Sequence, residues 1–150
     1  MRLSTVRRPE WAAGSDHRGS ARRAPREGNT RMKYMIMMFG GMGASLSTRT
    51  PEWIKGMGEL MMTIQAELAE AGELVAGHGL VDPTQAKTVR FEAGAPVSTD
   101  GPYAEIKESL AGYWIIDATE ERALEIVSRV VAYTEHPMEV RQVMHESVPA

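Results

Sequence analysis

The chain has 150 residues, of which 25% are charged, with a formal net charge of −3 and no cysteine. A chain without cysteine excludes disulfides, thiolate nucleophiles and cysteine-based zinc sites, and it is compatible with the cytoplasmic location that we predict. No apolar run approaches the roughly 18 residues that a membrane-spanning helix needs, so we predict no association with a membrane.

The first 31 residues differ in composition from the rest. They contain eight arginines, no lysine and three acidic residues, a net charge of +5, and a segment this polar buries too little apolar surface to become ordered. We predict a disordered extension over 1–31. Three interpretations stay open: a basic arm that binds nucleic acid or an acidic surface, an organelle transit peptide, or an upstream extension of the reading frame. The abrupt onset of strand-like sequence favours the last, with Met32 as the natural start.

Residues 32–150 have the length of one ordinary domain. They carry nine basic and seventeen acidic residues, a net charge of −8. Because phosphate recognition depends on lysine and arginine, this balance argues against nucleic-acid binding by the folded domain.

The first predicted elements are a strand and a helix. The apolar run Lys33–Phe39 ends at Gly40 and is typical of a buried strand. Thr50 predicts a helix N-cap, Pro51 the first helical position and Gly72 the C-terminal end. An apolar stripe at spacings of three and four lies between them, formed by Trp53, Met57, Leu60, Ile64, Leu68 and Ala71.

Two glycines, Gly56 and Gly58, lie inside this helix. Each costs about 1 kcal/mol relative to alanine in a helix interior. We interpret them as positions where the start of the helix packs closely on a neighbouring element.

The rest of the chain contains short strands and one more helix. Thr119 predicts the N-cap of that helix, which carries apolar residues on one side. The predicted strands are 73–80, 87–92, 97–99, 112–117 and 138–145, of which the second and third form a β-hairpin.

The order of these elements predicts the fold. With the hairpin set aside as an insertion, the order is β-α-β-β-α-β, which gives a ferredoxin-like α+β domain with a four-stranded antiparallel sheet and both helices on one face. Met37, Phe39, Tyr113 and Ile115 cannot all face the helices, because successive side chains of a strand alternate. An exposed apolar face of this size is rare on a monomer. We therefore predict a homodimer in which two sheets face each other around a cavity.

The stretch Asp100–Glu108 combines a stiffened turn with polar chemistry. Gly101 permits a positive φ, and Pro102 holds Gly101 away from the α region. One aromatic and three ionisable side chains follow within six residues. A loop of this kind is typical of a binding site on a rigid scaffold, and the alternative is a solvated connection with ordinary surface charges.

Five segments in order resemble the DGPF group of the YCII-related proteins. They are Met32–Met35, Ala71–Gly77, Asp100–Glu108, Gly112–Ile116 and Glu139–Met144, so the resemblance covers about residues 32–146. The stretch after Thr99 is the specific motif, with Tyr103 where the name of the group implies phenylalanine. The resemblance implies a dimeric α/β barrel. The family includes a dehydrochlorinase of a chlorinated hydroxyquinol, and many DGPF proteins accompany extracytoplasmic-function sigma factors, so a sigma factor is an implied partner.

Better-studied YCII proteins carry a His–Asp pair, which this sequence matches only loosely. The family histidine belongs near the start of the first helix, around Trp53–Met57, and that stretch has none. The family aspartate corresponds to Asp82, in Gly79-Leu80-Val81-Asp82. His78 lies nearby, so we take His78 and Asp82 as the catalytic candidates for general acid–base chemistry. The alternative is an idle histidine at a strand end.

The ligand-binding candidates are Asp100, Tyr103, Glu105, Lys107 and Arg141. The guanidinium of Arg141 suits a carboxylate or phenolate ligand, and in an extended loop Glu105 would point inward as its partner. The alternative is a structural ion pair of Arg141 with Glu139 or Glu105.

No metal or cofactor is predicted, since no histidine pair has helical ligand spacing and no phosphate-binding loop is present. Two functions therefore stay open. One is a cofactor-free enzyme acting on a small aromatic or polar substrate in the barrel cavity. The other is a non-catalytic ligand-binding or regulatory partner of a sigma factor.

Overall fold

The computed structural model describes residues 30–40 and 47–145 of the chain. Their elements, in chain order, are β1 (Met32–Phe39), α1 (Pro51–Glu70), β2 (Leu74–Gly79), β3 (Lys87–Glu92), β4 (Ala95–Asp100), β5 (Leu110–Ala118), α2 (Glu120–Thr134) and β6 (Met138–Gln142). Short 3-10 turns cover Pro83–Gln85 and Ile106–Glu108.

The predicted disordered extension lies outside the described residues except at its end. There, Arg31 donates hydrogen bonds to the carbonyl oxygens of Asp117 (2.8 Å) and Gly72 (3.2 Å). Arg31, one residue before the predicted boundary, therefore contacts the domain.

Both helices begin where the sequence predicts. The Thr50 hydroxyl accepts from the backbone N–H of Trp53 at 3.2 Å, and the Thr119 hydroxyl accepts from Arg122 N–H at 3.1 Å. These side chains satisfy donors that a helix start leaves unpaired. At the other end of α1, Gly72 adopts a φ of +68°, the conformation that stops a helix at little cost.

The sheet confirms the predicted α+β topology. Its strand order is β2-β5-β1-β6, with every neighbouring pair antiparallel, which is the ferredoxin-like arrangement. Strands β3 and β4 form a separate two-stranded sheet, which lies in the segment of chain that connects β2 to β5. Their turn is tighter than predicted, because Ala93 (φ +48°) and Gly94 (φ +83°) complete it alone. Strand β6 ends at Gln142, short of the predicted His145.

The hydrophobic core lies between one face of the sheet and the two helices. It consists of Tyr34, Ile36, Trp114, Ile116 and Ala118 from the sheet, with Ile64, Leu68, Ala123, Ile126, Val127 and Val130 from the helices. The intervening strand residues point to the other face, as the pleat requires. On that face Met35 lies opposite Ile115 and Met37 opposite Tyr113, with the exposed ring of Phe39 at the end of β1. We call this set of five side chains the open face.

One ion pair joins the two helices outside the core. Arg129 donates to both carboxylate oxygens of Glu67, at 2.6 and 3.0 Å. These hydrogen bonds are the main cause that lowers the pKa of Glu67 below its ordinary value of 4.5. A lowered folded-state pKa contributes stability that is present above the ordinary pKa and is lost as the pH falls through the folded-state pKa.

We therefore expect Arg129→Gln to weaken the acid dependence of stability. The free energy of unfolding, measured by urea denaturation from pH 7 down to pH 3, should fall less steeply below about pH 4.5 in this variant than in the parent. Lys55→Gln is the control, since it removes only the exposed Lys55–Glu59 pair (3.9 Å). Equal slopes for the parent and Arg129→Gln would contradict the assignment.

Candidate functional site

An apolar cleft lies between one flank of α1 and one end of the sheet, where residues of β1, β2, β5 and β6 line it. Its volume is about 310 Å³. Four methionines line it, Met38, Met57, Met61 and Met138, and methionine side chains make an adaptable, polarisable wall. We call it the α1–sheet cleft.

Helical and strand spacing bring its walls together. Met57, Met61 and Gln65 succeed one another at intervals of four on α1, so they share one flank of the helix. The opposite wall consists of glycines on the two paired strands: Gly77, Gly79 and Gly112. Glycine in a strand interior marks a place where another group approaches the backbone closely.

These glycines have different neighbours. A Cβ atom added at Gly77 would lie 2.3 Å from Cδ1 of Trp114, so the indole ring occupies the space that a side chain would need. A Cβ atom at Gly79 would meet nothing within 4 Å. Gly77 therefore serves the core, whereas Gly79 leaves open space.

The two glycines of α1 differ in the same way. A Cβ atom at Gly56 would lie 2.3 Å from the Tyr133 hydroxyl, which donates to the carbonyl oxygen of Trp53 at 2.8 Å. At Gly58, which lines the α1–sheet cleft, it would meet nothing within 4 Å. The expectation of close packing is correct for Gly56 and wrong for Gly58.

His78 lies at the exposed edge of this cleft. Its ring is in an edge contact with Tyr113, with centroids 5.9 Å apart. Both residues line the cleft. Because His78 is paired directly with Tyr113, its ring lies on the same side of the sheet as the Tyr113 ring, at the rim of the cleft.

Asp82 is not a partner of His78. Its carboxylate accepts a hydrogen bond from the backbone N–H of Thr84 at 2.9 Å and caps the turn Pro83–Gln85. That bond is the main cause that lowers the pKa of Asp82, so the side chain is a carboxylate at neutral pH. The described contacts of these two side chains include no hydrogen bond or ion pair between them, and Asp82 faces a different cleft.

That second cleft has a volume of about 400 Å³ and brings Asp82 together with the motif loop. Pro102, Tyr103 and Glu108 line it beside apolar residues that follow β2. The Tyr103 side chain is 85% exposed, and the Arg90 guanidinium lies 5.9 Å from its ring centroid, near the limit of a cation–π contact.

The Asp100-Gly101-Pro102 turn closes the base of the β3–β4 hairpin. Gly101 adopts the predicted positive φ, +105°. Its N–H donates to the Ala86 carbonyl at 2.8 Å, and its own carbonyl accepts from the Thr88 hydroxyl at 2.7 Å. Asp100 forms an ion pair with Lys87 across the same base. These contacts support a structural role for the turn.

The other ligand-binding candidates do not converge in the chain as described. Glu105 precedes the 3-10 turn and pairs with Lys107 (3.5 Å), so the expectation of an extended loop with alternating side chains is wrong. Arg141 donates to Glu139 at 2.9 Å, because residues two apart share one face of a strand. Among the described contacts Arg141 thus pairs with Glu139 and Glu105 with Lys107, and the Glu105–Arg141 pair stays a prediction.

Sequence reasoning missed the residues that shape the α1–sheet cleft. Gly58 and Gly79 leave open space in it, and Gln65 and Trp114, whose side chains carry polar groups, are among its lining residues. The available signal was Gly58 itself, a costly residue in a helix interior. The described residues contain no cluster of three or more histidine, aspartate or glutamate side chains placed to hold a metal ion. None of the described helices is long and apolar enough to span a membrane.

Comparison with known proteins identifies the family. An uncharacterised protein of Rhizobium meliloti (strain 1021) is 40% identical over 81 residues, which are 51% of this chain and 65% of that protein. The chain thus spans less than two thirds of the length of this relative. The model of the YCII-related domain matches residues 32–147, which include every strand and helix described above. The chain therefore belongs to the YCII-related family.

Proposed function

We propose that this protein binds a small, mostly apolar molecule in the α1–sheet cleft. The observation that carries the proposal is Gly58. Neither its backbone nor its neighbours require glycine, since its φ is not positive and an added Cβ would meet nothing within 4 Å. Glycine there costs the helix about 1 kcal/mol relative to alanine. A cost without a packing reason is typical of a position kept for function.

The lining of the cleft supports the same proposal. A volume of about 310 Å³ is at the lower end of the range for small-molecule sites. Such sites combine apolar walls with a few polar groups, and here Gln65, His78 and Trp114 stand beside four methionines. Any acid–base chemistry on a bound substrate would use His78 alone. Asp82 would not take part, because its carboxylate caps a turn.

We further propose that the domain works as a homodimer, as a dimeric α/β barrel requires. The open face has an apolar centre, and charged Glu139 and Arg141 lie beside it on β6. An apolar centre with a polar rim is the usual anatomy of an interface. Membership of the DGPF group, ligand contacts of Tyr103 and the other loop candidates, and association with a sigma factor stay predictions.

Filling the cleft tests the binding proposal. Gly58→Leu replaces a poor helix former with a good one and fills open space, so the melting temperature should rise while ligand binding is lost. Binding is measured by thermal shift and calorimetric titration with alcohols of six to ten carbons, both aliphatic and aromatic.

Thr63→Ala is the matched control, since Thr63 is an exposed residue of α1 outside the cleft lining and its replacement also favours the helix. This variant should be stabilised and still bind. If no compound binds the parent, or if Gly58→Leu binds as the parent does, the cleft is a packing defect and the proposal fails.

A further inference from the structure

The indole N–H of Trp114 is a donor without a partner. The residue is only 6% exposed, and a buried tryptophan usually donates this hydrogen to an acceptor. In the described part of the chain it has none, and no side-chain nitrogen or oxygen there is both sealed from solvent and unpaired. The N–H group therefore opens onto free space.

That free space is the α1–sheet cleft, which Trp114 lines. The pyrrole edge of the ring lies against Gly77, where a Cβ atom would be 3.0 Å from Nε1. The donor thus sits beside the glycine wall of the cleft. Since the indole N–H can only donate, a ligand group that pairs with it in place of water is an acceptor.

The walls restrict the shape of the molecule that carries this acceptor. Gly58 on the helix and Gly79 on the strand present backbone without side chains to the same cleft, which permits close approach of a flat group. Met57 and Met61 lie beside them, and thioether sulfur makes favourable contacts with aromatic rings.

We propose that the ligand is a planar aromatic molecule with an oxygen acceptor, which receives the hydrogen bond of Trp114 Nε1–H. The inference rests on the proposed function and specifies its ligand. The Gln65 amide, which donates and accepts, lines the same cleft and suits a second polar substituent.

Three probe compounds test the two parts of the proposal separately. 2-Naphthol is planar and has an oxygen, 2-methylnaphthalene is planar without one, and trans-decahydro-2-naphthol has the oxygen without the planar ring. The readouts are the indole N–H signals of the three tryptophans and the methionine methyl signals, by NMR. Trp11→Phe and Trp53→Phe assign the Trp114 signal by elimination. Met57→Leu and Met61→Leu assign the methyl groups that report occupancy of the cleft.

We expect 2-naphthol to move the methyl signals of Met57 and Met61 and to shift the Trp114 indole proton downfield. Its affinity should exceed that of each other compound by about three- to tenfold. For 2-methylnaphthalene this difference is the effect of losing one net hydrogen bond. If 2-naphthol moves the methionine signals but not the Trp114 indole signal, the proposed hydrogen bond from Trp114 to the ligand is wrong. Equal binding of the saturated alcohol would overturn planarity. If no compound moves the methionine signals, the proposed function itself fails.

Discussion

Replacing Gly77 with alanine is expected to destabilise the domain by about 1–3 kcal/mol, the usual cost of an extra methyl group in a filled core. The new Cβ atom would lie 2.3 Å from Cδ1 of Trp114, far inside van der Waals contact. The indole ring cannot move away cheaply, because it is buried against Ile36 and other members of the core. Urea denaturation of the parent and the variant measures the difference.

Gly79→Ala is the matched control for this experiment. It adds the same methyl group to the same strand, two residues further on, where nothing lies within 4 Å. We expect a change of less than about 0.5 kcal/mol, as for ordinary surface substitutions. If the two substitutions destabilise the domain equally, the cause is the addition of any side chain to strand β2 and not the contact with Trp114.

Met37→Glu is expected to convert a homodimer into a folded monomer. Met37 lies in the middle of the open face, between Tyr113 on β5 and Glu139 on β6. A carboxylate there stays hydrated on a monomer, but association would bury it without a partner, at a cost of several kcal/mol. Light scattering should give twice the 16.5 kDa chain mass for the parent and the single mass for the variant.

Met62→Glu controls for the added charge. Met62 is 75% exposed on α1, on the side of the sheet opposite the open face, so this variant should stay dimeric. Circular dichroism shows whether each variant is folded. A folded, monomeric parent protein at micromolar concentration would contradict the proposed barrel, as would a Met37→Glu variant that keeps the dimer mass.

Local signals predicted the elements correctly because their causes are local. Thr50 and Thr119 cap their helices through hydrogen bonds that span three residues, and Gly101 adopts a positive φ next to Pro102. Alternation along β1 and β5 placed Met37 and Tyr113 away from the helices. In each case the interacting residues lie close in sequence, or the two-residue alternation of a single strand decides which face a side chain points to.

The pairings of candidate site residues were less predictable. His78 and Asp82 are four residues apart, yet the chain leaves β2 between them and Asp82 binds the turn that follows. Glu105 forms an ion pair with Lys107, and Arg141 forms one with Glu139. Asp82, Glu105 and Arg141 each contact a residue two positions away in the sequence. A more distant predicted partner must compete with such neighbours, which are already within reach.

The sequence by itself determined the order of strands and helices, their capped ends and the alternation that leaves one sheet face without helices. It could not distinguish the glycines, because the role of a missing side chain depends on what occupies the space beside it. Tyr133 fills that space at Gly56 and Trp114 fills it at Gly77, while at Gly58 the space is open. Those neighbours come from elements distant along the chain, so only the tertiary structure decided which glycine serves packing and which one leaves room for a ligand.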